Sequence, residues 1–236
     1  GGAVHLFARG VLPRVVKADI ASLYPSLIRT HRVSPSCDPL GVFLHLVDRL
    51  TELRLRHKRA AREAAPGSPD AVRHDATQAA MKVMINSAYG YLGAGDMSLF
   101  GDARAADEVT RLGRETLGAV VAGLEAGGVT LVEADTDGVY FSVPEGWTET
   151  DERALVARVD ASLPPLVRLE FEGRYRAMLS HEVKNYALLG YDGTLTVRGG
   201  AMRSSRSERY GDDFLRRALT CLLHGDAHGA RAAFDD

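Results

Sequence analysis

Two aspartates, Asp135 and Asp137, stand one residue apart in the run EADTDGVYFS, residues 133–142. Alternate side chains of an extended chain point to the same side. Two carboxylates so placed, about 4–6 Å apart, repel each other by a few kcal/mol at an effective dielectric of about 20. Such a pair at a strand end has two common uses. It shares a proton for acid–base work, or it holds a hard divalent cation. Asp19, in the apolar run VVKADIASLYPS, adds a third acid. Three carboxylates on a sheet, with no histidine or cysteine among them, point to Mg2+, which takes oxygen ligands. Plainer uses stay open at this stage: Asp19 as a helix N-cap, and the pair as a solvated turn.

The cations are as selective as the acids. Of 29 basic residues only four, Lys17, Lys58, Lys82 and Lys184, are lysine. The chain accepts arginine wherever any cation serves. Each retained lysine is therefore a candidate for a compact, titratable ammonium, with chance retention as the alternative. The stretches RLTELRLRHKRAAR (49–62) and RGGAMRSSRSERYGDDFLRR (198–217) concentrate positive charge. A solvated helix face is the ordinary meaning of such runs.

These groups need elements to position them. Residues 14–21 read as a buried strand, and Pro25 marks a helix start just after it. SPSCDPLG (34–41) is turn chemistry. From Val42 to about Ala65 the pattern is helical, with Phe43, Leu46, Leu50, Leu53 and His57 on one stripe and Arg54 and Lys58 bordering it. PGSP (66–69) interrupts, and a second helix follows from about Asp70 to Tyr91, giving an antiparallel helical hairpin. Gln78, Lys82, Asn86 and Tyr89 share one side of that second helix, opposite Ala80, Val83, Met84 and Ser87. A polar side of this kind serves either water or a ligand. A helix over 102–126, the hairpin around Asp135 and Asp137, and a helix over 149–161 come next. Strands over 167–198 turn at GYDG, and the pattern is helical again from about Asp212. The expected class is α+β with an antiparallel sheet, and the insertion 40–92 is the natural subdomain.

A hydrophobic share of 45% and a charged share of 25% suit a globular chain, and a net charge of -2 excludes a uniformly basic nucleic-acid binder. No apolar run approaches the roughly 20 residues that a membrane helix needs, and no charged-then-apolar leader is visible. Cys37 and Cys221 are too few for a disulfide framework or a zinc site. A cytoplasmic protein is expected, associated with the nucleoid if the source is bacterial. The opening GGAVHLFARG without Met and the closing ARAAFDD in a helical pattern lead us to expect a fragment of a longer protein.

The stretches DIASLYPS (19–26), KVMINSAYG (82–90) and ADTDG (134–138) occur in that order. They resemble the three polymerase motifs of the family B DNA polymerases, D-x-x-S-L-Y-P-S, K-x-x-x-N-S-x-Y-G and Y-x-D-T-D-S/G. EVKNY (182–186) resembles the family's later K-x-Y motif, and GGAV at the start resembles its Gly-Gly segment. Arg54 and Lys58 match the R-x-x-x-K pair of its first fingers helix. The resemblance covers nearly the whole chain, and Lys58, Lys82 and Lys184 all fall on its motif positions.

The resemblance implies a palm over 1–39 and 93–197, built on a ferredoxin-like antiparallel sheet. It implies fingers over 40–92 and the start of a helical thumb over 198–236. It implies template-directed DNA synthesis on a primer–template with deoxynucleoside triphosphates and two Mg2+ ions, with Mn2+ able to replace them. Asp19 and Asp137 would bridge both ions, the Ile20 carbonyl would add a ligand, and Asp135 would act less directly. Arg54, Lys58 and Lys82 would meet the triphosphate, with Lys82 as proton donor to the leaving pyrophosphate. The backbone amides of Ser22 and Leu23 would bind phosphate oxygens. Tyr24 would lie beneath the sugar and Asn86 beside the nucleotide. Tyr89 and Gly90 would pack near the nascent base pair, and Lys184 and Tyr186 would hold the primer strand.

Three positions depart from the motifs. Glu133 stands where many members have tyrosine, Gly138 takes the glycine form in place of serine, and Val183 stands where a second lysine is frequent. Two other readings compete: a family B fold kept only as a nucleic-acid-binding or assembly module, and another Mg2+-dependent phosphoryl-transfer enzyme such as a nuclease. The second has no use for Lys82 and Asn86, since a nuclease holds no triphosphate.

Overall fold

A computed structural model describes residues 4–200 and 209–235. Gly1 and Gly2 of the Gly-Gly segment lie outside the described residues, as do residues 201–208 of the second basic stretch, where the thumb was expected to begin. Within the described residues the chain divides into two compact units. One comprises Ser22–Glu115 and Pro164–Val167; the other comprises the segments before Ser22, Thr116–Leu163 and the chain from Arg168 onward.

The second unit is built on seven strands: β1 Val4–Leu6, β2 Gly10–Ile20, β3 Thr130–Asp135, β4 Gly138–Ser142, β5 Leu169–Glu182, β6 Asn185–Leu189 and β7 Leu195–Arg198. They form one sheet in the order β1-β3-β4-β2-β5-β6-β7, with every neighbouring pair antiparallel. Period-2 alternation sorts the side chains. Ala177, Ala187 and Leu189 pack with Leu219 and Leu223 of a helix over Arg209–Leu223. Met178 and Leu188 join Val15, Val132 and Tyr140 in a separate cluster, flanked by Leu12, Tyr175 and Tyr186. Along β2, Val15 belongs to that second cluster, and Lys17 and Asp19 follow at the same spacing. One side of the sheet thus runs from apolar through aromatic to charged.

The first unit is helical: α1 Leu23–His31, α2 Val42–Glu63, α3 Pro69–Gly93 and the N-terminal half of α4 Ala103–Glu125. Ser68 caps α3 through its Oγ, which accepts the Ala71 N–H at 3.2 Å, and Pro69 opens the helix. His57 of α2 meets His74 of α3, while Phe43 and Val47 share a cluster with Ala88 and Leu92. That pairing of early α2 with late α3 makes the two helices antiparallel. The unit is wider than the insertion 40–92, because Ile28 of α1 and Ala105, Ala106 and Val109 of α4 fill the same core.

The expected apolar stripe of α2 needs correction. Leu46 is exposed, and Leu44 and Val47 are buried with Phe43. Neighbours on three sides cover a wider arc than a single partner helix would. On the described residues the remaining α-helices are α5 Glu149–Asp160, α6 Arg209–Leu223 and α7 Ala227–Asp235. A capping box holds the start of α5: the Thr148 N–H donates to Asp151 Oδ2 at 2.8 Å, and the Asp151 N–H donates back to Thr148 Oγ1. No described helix is long and apolar enough to cross a membrane.

Candidate functional site

In the sheet unit, the acids gather at one end of the central strands. Asp19, near the end of β2, pairs with Gly138 of β4 on one side and Glu170 of β5 on the other. Asp135 closes β3 and also pairs with Gly138. Thr136 and Asp137 form the loop between β3 and β4. The turn is tight: the Asp137 N–H donates to the Asp135 carbonyl at 2.6 Å, and Thr136 sits at φ 57°. A β-branched residue there is strained. The Ile20 N–H donates to the Asp137 carbonyl at 2.7 Å and ties the turn to β2.

Glycine at 138 has a spatial reason. A Cβ there would lie 3.2 Å from Asp19 Oδ1 and 3.6 Å from Lys17 Cε. The Asp19 carboxylate therefore lies over Gly138, the residue that follows Asp137. Burial, and then the negative charge of Asp135, push the Asp137 carboxyl above its ordinary range, with Lys17 acting against them.

Lys17 is the lysine that no motif explained. Its Nζ pairs with Glu172 and sits 5.7 Å from the centre of the Tyr140 ring. Burial would lower its pKa, but the hydrogen bond and charge of Glu172, with Asp19 behind, raise it. Glu172 reaches this place through a bulge in β5 opposite Lys17 and Ala18. Neither Glu172 nor Tyr140 was singled out from the sequence. The signal available was the i, i+2 step from Asp19 back to Lys17.

Lys184 and Tyr186 meet the same side of the sheet from the β5–β6 hairpin. Lys184 occupies its turn at φ 62°, and its Nζ lies 3.2 Å from Asp135 Oδ2. The Lys184 N–H donates to Glu133 Oε1 at 2.8 Å. The hydroxyls of Tyr186 and Tyr140 lie 2.9 Å apart. Burial, then this hydrogen bond, raise the Tyr140 pKa far above its usual value.

The expectation that three acids converge is corrected on one point. Among the described residues no three His, Cys, Asp or Glu side chains are grouped closely enough to hold a metal ion. Asp135 is paired with the Lys184 ammonium, which relieves the repulsion that two adjacent carboxylates would otherwise feel. Asp19 and Asp137 remain as the acids on either side of Gly138 in register and sequence, with Lys17 as the cation whose charge acts on both. Carboxylate oxygen is the donor chemistry that suits a hard divalent cation such as Mg2+.

The other candidates belong to the helical unit. Ser22 is the N-cap of α1 in a left-handed conformation, with no side-chain cap hydrogen bond, and Leu23 is the first helical residue. The first backbone N–H groups of a helix have no intrahelical acceptor and suit an anion. Tyr24 is half-buried, with its ring centre 4.6 Å from that of Tyr89. A Cβ on Gly113 of α4 would come within 2.9 Å of Tyr24 Cε1, so glycine makes room for the ring. Arg54 and Lys58 are half-buried on α2, and the Arg54 Nε is buried without a hydrogen-bond partner among the described residues. Lys82, Asn86 and Gly90 are exposed on α3. Gln78 shares their side of the helix but bonds Asp75 at 3.0 Å.

A family model described as DNA polymerase family B matches residues 36–226. DNA polymerase 1 of Pyrococcus abyssi is 33% identical to this chain over 84% of its length, and the DNA polymerase of Thermococcus sp. (strain 9oN-7) is 31% identical over 98%. The matched region is 29% of the first protein and 33% of the second, so the chain spans about a third of the length of these curated relatives. The fold is similar to that of a family B DNA polymerase from the hyperthermophilic archaeon Pyrobaculum calidifontis, with a TM-score of 0.74 and 22% identity, over 98% of this chain and 33% of that one.

Proposed function

Since the chain belongs to the family B DNA polymerases, we propose that it is the nucleotidyl-transfer core of a template-directed DNA polymerase. It extends a primer 3′-hydroxyl with deoxynucleoside triphosphates and releases pyrophosphate. Residues 1–39 and 93–197 are the palm, 40–92 the fingers, and 198–236 the start of the thumb. The strand order β3-β4-β2-β5, with α4 and α5 as the intervening helices in the chain, supports a ferredoxin-like palm.

Asp19, Asp137 and the Ile20 carbonyl would hold two Mg2+ ions, whose chemistry is to activate the 3′-hydroxyl and to neutralise the departing pyrophosphate. Asp135 acts at one remove, by holding Lys184. Arg54 and Lys58 on α2 and Lys82 on α3 neutralise the triphosphate, and Lys82 donates the proton to the leaving group. The N–H groups of Ser22 and Leu23 donate to phosphate oxygens, and Asn86 lies beside the nucleotide. Tyr24, seated on Tyr89 and Gly113, walls off the 2′ position of the sugar, and Tyr89 and Gly90 flank the new base pair. Lys184 and Tyr186 grip the primer. These contacts need no base specificity, because the template supplies the sequence by pairing.

The observation that carries this reading is the register of β2 on β4, which sets the Asp19 carboxylate over Gly138 beside the Asp137 turn. Primer extension with Mg2+, one deoxynucleotide and a matched template tests it, with Asp19→Asn as the control. Templated addition lost in that variant is the expected result. Primer binding without addition would point to a binding module, and primer shortening would point to a nuclease.

A further inference from the structure

Glu133 is a carboxylate only 1% exposed, on a strand that ends at the acidic turn. Its Oε1 accepts the Lys184 N–H at 2.8 Å, and its Oε2 has no hydrogen-bond partner among the described residues. Burying a charge with so few partners is costly. Its partner is unusual as well, since Lys184 is a long side chain held at φ 62° in a two-residue turn. The ammonium of the same lysine pairs with Asp135, two residues along β3 from Glu133. One strand therefore holds Lys184 twice, by its backbone and by its charge.

The sheet order explains why side chains do this. β4, β2 and β5 lie between β3 and β6, so no backbone ladder joins the strand of the acidic turn directly to β6. Glu133–Lys184 and Asp135–Lys184 cross that gap, with Tyr140–Tyr186 alongside. The neighbouring residue adds a reason. Val183, the other residue of the turn, carries no charge, so the turn presents a single ammonium that must be held in place accurately.

We propose that Glu133 is a positioning residue for the primer strand: by holding the Lys184 backbone it fixes the β5–β6 turn at a set place relative to Asp135 and Asp137. This rests on the reading of Lys184 as a primer contact. The Glu133 carboxylate touches neither primer nor nucleotide. Its acceptor oxygen, rather than its charge, is what the turn requires.

The test uses the full chain and a fluorescein-labelled primer–template duplex without nucleotide, with Kd read by anisotropy. Glu133→Gln keeps a carbonyl acceptor, and Glu133→Met fills the site without one. We expect Glu133→Met to raise Kd about tenfold, the effect of one lost hydrogen bond, and Glu133→Gln to stay within about twofold. Lys184→Ala should weaken binding, and adding Glu133→Met to it should cost nothing further. An unchanged Kd in Glu133→Met, an equal loss in Gln and Met, or full additivity with Lys184→Ala overturns the proposal alone. An unchanged Kd in Lys184→Ala overturns the primer-contact reading and the proposal with it. Amide hydrogen exchange of the wild-type chain adds a measurement that needs no folded variant. The Lys184 amide should exchange at least about tenfold more slowly than an open turn amide, and exchange at the open-turn rate overturns the tether.

Discussion

At the residue scale, the two carboxylates of the acidic turn have different surroundings. Asp135 faces the Lys184 ammonium at 3.2 Å, whereas Asp137 is raised by burial and by Asp135 itself. Asp137→Asn should slow single-turnover nucleotide addition by a thousandfold or more, about 4 kcal/mol of barrier. Asp135→Asn should cost far less, and the reverse order would refute the assignment. Tyr24 offers a second test that leaves its own atoms intact. The methyl group of Gly113→Ala would fall 2.9 Å from its ring, which is already packed on Tyr89. The ring must move, because packed sites do not deform freely. If that ring excludes ribonucleotides, the variant should raise the ribonucleotide-to-deoxyribonucleotide ratio of kcat/KM by about tenfold, roughly 1.4 kcal/mol. A ratio unchanged in both Gly113→Ala and Tyr24→Ala would leave Tyr24 as packing.

At the scale of elements, the start of α4 depends on one side chain. Asp102 Oδ1 accepts from the N–H groups of Arg104 and Ala105, and Oδ2 accepts from the N–H and the Oγ–H of Ser36. Led by the Ser36 N–H, these bonds lower its pKa from 3.8 to about 2. A lowered folded pKa gives stability that is present above 3.8 and lost as pH falls through about 2. Asp102→Ala should therefore lower the urea midpoint at pH 7, and its difference from wild type should close between pH 3.8 and about 2. A difference that persists at the acid end would assign the loss to packing instead of the cap.

For the whole molecule, the sheet is held by its backbone ladders and by apolar clusters on its strands. Chelating divalent cations should abolish nucleotide addition yet leave the circular-dichroism melting curve in place. A large fall in Tm on chelation would make the metal structural. Buried carboxylates set the opposite pH trend from Asp102. Burial raises Glu133 above the usual 4.5, outweighing the Lys184 N–H, so its contribution is full below 4.5 and fades as pH rises through the folded value. Glu133→Gln should therefore gain stability relative to wild type as pH rises above 4.5. A gap that narrows instead would show that the charged form is the favoured one in the folded protein.

Local periodicity and motif chemistry were legible without coordinates. The strand carrying Asp19, the helical pair bearing Arg54, Lys58, Lys82 and Asn86, and the hairpin of Asp135 and Asp137 are each written in neighbouring residues, because side-chain direction repeats every two or 3.6 positions. The three-residue strand β1 and the turn at Lys184 carried no such pattern. Partnership across the chain was not legible either. Glu133 reads from the sequence as a charge near Asp135 and Asp137; in the fold it is a buried acceptor for an amide 51 residues away. Lys17 meets Glu172, Tyr140 meets Tyr186, and Gly113 makes room for Tyr24 only once strand order and helix packing are set. A repeat in the sequence says which way a side chain points, whereas the register of distant strands decides what it meets.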